Sequence, residues 1–524
     1  MIGRRLSLAI AFLSLPVLAE GRTVSPFVAI RILHTNDIHG HILPEPDLKS
    51  GVTPPALFGG AASLATAMKR YRREAVFGRP ADVLFYFDAG DFFQGAPEGT
   101  LTRGTAMIEL FDQLGLDFQA VGNHEFDFGV DTFKRLADAA AWPMIALNIE
   151  EETGAGALGL SKTILMDFKK LDLRIAVIGW ITDEMASLTT AEGRRGLTFH
   201  SALETAHRAA NAVRDTTALI IAVSHAGLHE DTVIANADTR IHVIVGGHSH
   251  TALSPYYKSD STGAIVVQAG SHLRDLGVLD LLYNTKTHKI VRANSRLIPL
   301  YESEFPPDPA VRRWAQGVAQ KVGKLLDEQV AVSAEDYLKE SDTECVPGNL
   351  MTDAMRWATG ADAAFQNSYG IRADLAKGPI TLRTLFTMMP FDNTIVSMTL
   401  TGEQILDLLE QSASLERGFL QMSGVRMIAD VSRPAGERVV FAQVGGADLQ
   451  SNRSYRIATN SFLAEGGDHF DVFPNGTDRK DSGRNMRDAI RDYLRHLTGS
   501  PQGVYQGRLE GRIQVLGAPP TRAR

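Results

Sequence analysis

Cysteine is almost missing from this chain: Cys345 stands alone among 524 residues. One thiol cannot close an intramolecular disulfide, so stability rests on buried apolar surface, which a chain this long can supply. No histidine lies close to Cys345 in sequence, which argues against thiol catalysis there. Positive charge is also scarce. The 53 Lys and Arg are outnumbered by 61 Asp and Glu, for a formal net charge of -8. That balance gives no electrostatic reason to bind a nucleic-acid polymer. Any anionic substrate must therefore meet cations supplied locally, by metal or by a few arginines. Beyond the N-terminal segment no run is long and apolar enough to cross a bilayer. Gly517-Ala518-Pro519-Pro520 offers no hydrophobic tail for a lipid anchor. Internal repeats and low-complexity tracts are absent as well.

What remains is an ordinary globular composition, 44% hydrophobic and 22% charged, in a chain longer than one core normally serves. Two domains are expected. At the N-terminus Arg4 and Arg5 precede an apolar stretch from Leu6 to Leu18, and Val17-Leu18-Ala19 offers small residues for cleavage. Residues 1–19 read as a signal peptide, and the mature protein is expected in a periplasm or secreted, without a membrane span and as a monomer.

From 28 to 305 short β-rich runs (28–33, 83–87, 145–147, 175–178, 219–223 and 241–245) alternate with helical stretches such as 62–73 and 203–214. Continuous apolar runs suit strands covered on both faces, so the pattern predicts an α/β domain with sheet between helices. Residues 306–334 are charged and helical in pattern, and read as an interdomain helix. Residues 335–516 form a second α+β unit, with helices expected over 349–359 and 401–412 and strands over 394–400 and 454–458.

Polar clusters follow the strands of the first unit at once. They are His34-Thr35-Asn36-Asp37-Ile38-His39-Gly40-His41, Gly90-Asp91, Gly122-Asn123-His124-Glu125-Phe126-Asp127, Ser224-His225 and Gly247-His248-Ser249-His250. Singly, each has a plain explanation: an aspartate after a strand caps a turn, and a lone histidine is more often a satisfied core residue. Five such clusters at five strand ends are another matter, because ligand sites in layered α/β folds gather there. Mixed oxygen and imidazole donors suit Zn, Mn or Co rather than a thiolate site, and paired metals are a standard means of hydrolysing phosphate esters.

These strings resemble the calcineurin-like metallophosphoesterase signature, and "LHTNDIHGH", "GNHEFDFG" and "GGHSH" resemble its 5'-nucleotidase branch. The resemblance implies a four-layer αββα metallophosphoesterase domain followed by a substrate-binding domain, with two divalent metal ions. Asp37, His39 and His250 would hold the first ion and Asn123, His225 and His248 the second, with Asp91 bridging. His124 would be the catalytic histidine and Asp127 its orienting carboxylate, while His34 and His41 read as structural or supporting. In the second unit the resemblance has Phe391 and Phe462 sandwich a base, Asp468 bind ribose hydroxyls, Asn367 contact the base and Arg372 reach the phosphate. Two positions depart from the family wording: Ser368-Tyr369-Gly370 replaces a glycine run, and Asp342 stands near an expected arginine. One implied phosphate-binding cation is therefore missing or moved. The expected activity is phosphate release from nucleoside 5'-monophosphates; related outcomes are cyclic-nucleotide phosphodiesterase/3'-nucleotidase, UDP-sugar hydrolase and, less so, thiosulfohydrolase. A non-catalytic surface binding protein would have no need of seven ligands and a His-Asp pair.

Overall fold

The computed structural model describes residues 25–48, 55–152, 158–189, 193–323, 326–414 and 418–517. The expected signal peptide, 1–19, lies outside them. The first unit is built on two six-stranded sheets. One runs, edge to edge, 289–299, 275–284, 27–35, 83–88, 118–120 and 144–145; the other runs 257–258, 265–267, 243–245, 219–225, 173–181 and 164–168. Strands 27–35, 83–88, 118–120 and 144–145 are mutually parallel, as are 173–181, 219–225, 243–245 and 265–267.

The period-two geometry of a strand explains why these runs are apolar throughout. Ile30, Ile32, Phe85 and Phe87 point into one core shared with Val177, Ile221, Val223 and Val245 of the opposite sheet. The alternate residues Leu33 and Tyr86 face helices 61–71 and 105–114. On the far side Ala176, Ile178, Ile220 and Ala222 face Ala202, Ala206 and Ala210 of helix 202–213. The result is the four-layer αββα stack. Each fully buried Ile, Val, Leu or Phe contributes about 1.5–3 kcal/mol of hydrophobic stabilisation.

The expected interdomain helix forms over Pro309–Gly323, yet it is not a free connector. Val311, Ala315 and Val318 are buried in the first unit's outer core. The chain then enters strand Gln329–Ser333, which pairs with 378–381 and 504–505. The second unit carries a five-stranded sheet (421–423, 363–366, 454–460, 394–401, 477–485) and a four-stranded one (447–448, 439–444, 425–430, 513–516). Its helices 346–359 and 486–498 share a core around Leu350, Met351, Ile490 and Leu494. Among the described residues no helix is long and apolar enough to cross a membrane.

Candidate metal centre and active-site cavity

All five clusters land at the C-terminal ends of parallel strands, where side chains from both sheets meet. Asp37 and His39 follow strand 27–35, Asp91 follows 83–88, Asn123 and His124 follow 118–120, His225 ends 219–225, and His248 and His250 follow 243–245. The turns there are tight. A Cβ on Gly122 would stand 2.2 Å from Asp91 Oδ1, and one on Gly247 would stand 2.6 Å from the Ala89 carbonyl. Only glycine lets these loops close on one another. Asp37, His39, Asp91, His248 and His250 themselves adopt left-handed backbone, with φ between 50 and 74°. That conformation is uncommon for any residue but glycine.

Two groups of metal-ligand type result, Asp37 with His39 and His250, and Asp91 with His225 and His248. His250 Nε2 lies 3.3 Å from Asp37 Oδ1 and 3.1 Å from His39 Nε2. Asp91 Oδ2 lies 3.1 Å from His225 Nε2 and 3.8 Å from His39 Nε2, so this carboxylate stands between the groups. Asn123 Oδ1 is 3.0 Å from His248 Nδ1.

The surrounding hydrogen bonds orient these donors. His39 Nδ1 gives its hydrogen to the Gln94 carbonyl at 2.7 Å, and His225 Nδ1 to the Ala89 carbonyl at 2.6 Å. Both rings therefore turn Nε2 toward the centre, the orientation usual for metal-bound imidazole. His225 Nε2 is buried without a hydrogen bond among the described residues, although Asp91 is near. Asp37 accepts from Asn36 Nδ2 at 2.6 Å and from the His248 backbone N–H at 2.9 Å.

Electrostatics makes the same case. Burial should neutralise Asp91, but His225 and His124 hold its carboxyl well below the usual range. Burial likewise opposes charge on Asp37, where His250 and His225 prevail. Burial would lower His225, yet Asp91 and Asp37 hold it up at about 10. Two buried carboxylates thus demand compensating positive charge. Oxygen and imidazole donors, no sulfur, and ring nitrogens already turned to the centre fit divalent metal ions.

Next to this centre His124 Nδ1 meets Asp127 Oδ2 at 2.7 Å. Burial lowers His124, but Asp127 and Asp91 outweigh it and its pKa is raised. A cavity of about 580 Å³ opens here between the two units. Asp91, Asn123, His124, Asp127, His248 and His250 line it from the first unit, and Asn367, Arg372, Phe391, Phe462 and Asp468 from the second. Asp37, His39 and His225 do not line it and are fully buried. Arg372 crosses the cleft, its guanidinium 2.8 Å from His39 Nε2 and 5.7 Å from the Phe391 ring centre. Asn367 Nδ2 donates to Asp468 Oδ2 at 2.6 Å. Phe391 and Phe462 are each half-buried against a different core cluster of the second unit.

His34 and His41 stay out of both ligand groups. His34 is buried in its sheet against Gly277, and desolvation holds its pKa down at about 3. His41 pairs with Glu45 at 2.6 Å and stacks on His272, ring centres 4.0 Å apart. Tyr369 lines the cavity with 44% of its surface exposed, whereas Asp342 is exposed and accepts from Ser341. His272 and Lys339 also line the cavity, and neither belongs to a motif. The only sequence hint was for His272, which follows Gly270-Ser271 shortly after strand 265–267.

Fold and ligand groups together define a hydrolase of the metallophosphoesterase class. The calcineurin-like phosphoesterase family matches residues 30–252, and the 5'-nucleotidase C-terminal domain matches residues 322–475. The structure of a 5'-nucleotidase precursor from Thermus thermophilus is 30% identical, with a TM-score of 0.84, covering 94% of this chain and 100% of that one. The 5'-nucleotidase of Bos taurus is 27% identical over 96% of this chain and 94% of its own length. The trifunctional nucleotide phosphoesterase YfkN of Bacillus subtilis is 26% identical over 92% of this chain, which spans 35% of that protein. The chain belongs to the 5'-nucleotidase family.

Proposed function

We propose that this protein is an exported phosphohydrolase that releases phosphate from nucleotides, nucleoside 5'-monophosphates above all. The observation that carries this reading is the cavity in which ligand-type side chains of one unit face Phe391, Phe462 and Arg372 of the other. In this reading residues 28–305 are the catalytic domain, 335–516 the substrate domain, and 306–334 join them. Asp37, His39 and His250 would hold one divalent ion and Asn123, His225 and His248 a second, with Asp91 serving both. When bound, the ions neutralise phosphoryl charge and acidify the attacking water.

The chain's own groups do the rest. Asp127 engages His124 Nδ1, which leaves Nε2 to stabilise charge on the phosphoryl or leaving-group oxygen. Arg372 meets the phosphate, and Asp468 accepts from the ribose hydroxyls. The phenylalanines stack on the base, with Asn367 at its edge. Export is inferred from residues 1–19, and a monomer suffices because both halves of the cavity come from one chain.

A product assay that follows both ester cleavage, by chromatography, and free phosphate tests this reading: 5'-, 3'- and cyclic nucleotides, UDP-glucose and phenyl phosphate, each with Mn, Co, Zn and Mg. Preferential release from 5'-monophosphates supports it. Preference for cyclic nucleotides or UDP-glucose reassigns the substrate, and no release from any ester rejects the phosphohydrolase reading.

A further inference from the structure

Tyr369 lines the cavity and is exposed there. Phe391 and Phe462 each pack against a core of the second unit, whereas among the described residues the Tyr369 ring joins neither core. The short turn that carries it, 368–370, is firmly held. Ser368 Oγ donates to the Phe419 carbonyl and accepts from Gln421 Nε2 at 3.2 Å, and the Gly370 N–H donates to the Asn367 carbonyl at 3.0 Å. A Cβ on Gly370 would stand 2.5 Å from Gln366 Nε2 and 2.7 Å from Asn367 Oδ1. The turn is thus closed against its own unit at Gly370, and the Tyr369 side chain takes the open side. Its neighbours tie the two ends of the cavity together. Two residues before it, Asn367 is hydrogen-bonded to Asp468. Three residues after it, Arg372 reaches His39 of the first ligand group and donates to the Tyr369 carbonyl at 3.4 Å.

We propose that Tyr369 is a length gate: its ring fills space that further phosphates would need between the ligand groups and the base-binding rings, so the site selects nucleoside monophosphates over di- and triphosphates. This rests on the phosphohydrolase reading above and narrows its substrate class. With the terminal phosphoryl group at the ligand groups and the base between Phe391 and Phe462, every added phosphate must lie in the stretch between them. An aromatic face there offers no hydrogen-bond donor and carries the negative side of the ring quadrupole. A phosphate pressed against it loses water without gaining a partner, which is costly for a charged group. Selectivity then comes from a repulsive element and not from tighter contacts to the favoured substrate.

The test measures initial rates on the mono-, di- and triphosphate of one nucleoside, by chromatography and phosphate release, in metal-loaded wild type, Tyr369→Ala and Tyr369→Phe. Wild type should favour the monophosphate. Tyr369→Ala should raise the ratio of kcat/KM for diphosphate over monophosphate by about ten-fold or more, mainly through KM, as expected when a pocket discriminates by shape. Tyr369→Phe keeps the ring and should keep the wild-type ratio. Tm should hold in both variants, because the ring supports no core. An unchanged ratio in Tyr369→Ala, a shift in Tyr369→Phe as large as that of alanine, or a wild type that turns over the triphosphate as readily as the monophosphate would overturn the gate while leaving the phosphohydrolase reading in place. A wild type inert toward every phosphate ester would remove both.

Discussion

Left-handed backbone at Asp37, His39, Asp91, His248 and His250 places five of the seven proposed ligands in conformations that non-glycine residues avoid, at a cost of about 1–3 kcal/mol each. Bound cations would offset that cost by linking the side chains so displayed. Chelation should therefore lower Tm, and Mn, Co or Zn should restore it, because a ligand of the native state alone stabilises it by mass action. Calorimetry with and without chelator reads this directly; an unchanged Tm in a protein shown to have lost its metal would contradict it. Asp91→Asn removes the charge that stands between the two groups. It should lose metal by elemental analysis and nearly all turnover, and a fully active variant would sink the two-metal account. His124→Ala should behave differently. It should keep its metal and fold while kcat falls by roughly 10²–10⁴, the usual contribution of a positioned acid-base group; loss of metal would make His124 a ligand instead.

At the scale of elements, glycine packing ties the second unit's loops to the cavity. A Cβ on Gly467 would stand 2.4 Å from Cε1 of Phe462, so Gly467→Ala must push that ring aside. The variant should bind nucleotides more weakly, by a rise in KM, while phenyl phosphate turnover and Tm change little; a large fall in Tm would mean that the ring is needed for the core. The strands of the buried sheets were legible in the sequence because both their faces are covered, which makes each run apolar and sets its polar cluster at the strand end. The arm 289–299 of the long hairpin carries no strand signal in sequence, for it is partly exposed and mixes charge with apolar residues. The four-stranded sheet of the second unit is hidden for the same reason, since only Val444 of strand Val439–Val444 is fully buried. Lys339 and His272 could not be read from local pattern at all. Each enters the cavity through contacts distant in sequence, Lys339 beside Asp374 and Ile371, and His272 through its backbone N–H to the Asp37 carbonyl.

Several contacts span the cleft between the two units. Arg372 reaches His39, Arg383 pairs with Glu98, and His469 approaches Glu184 and Ser187. The central claim is that hydrolysis belongs to one side of this cleft and recognition of the base to the other. Replacing Phe391 or Phe462 by Ala removes stacking worth about 1–3 kcal/mol per base, available only to substrates that carry one. The decisive measurement is kcat/KM for a nucleoside 5'-monophosphate and for a small alkyl phosphate in wild type, Phe391→Ala and Phe462→Ala, with Tm recorded for each. The account predicts a loss of roughly ten-fold or more on the nucleotide, at 1.36 kcal/mol per factor of ten, with the alkyl phosphate and Tm close to wild type. Equal losses on both substrates together with a lowered Tm would show that the two rings serve the core, and would contradict the claim.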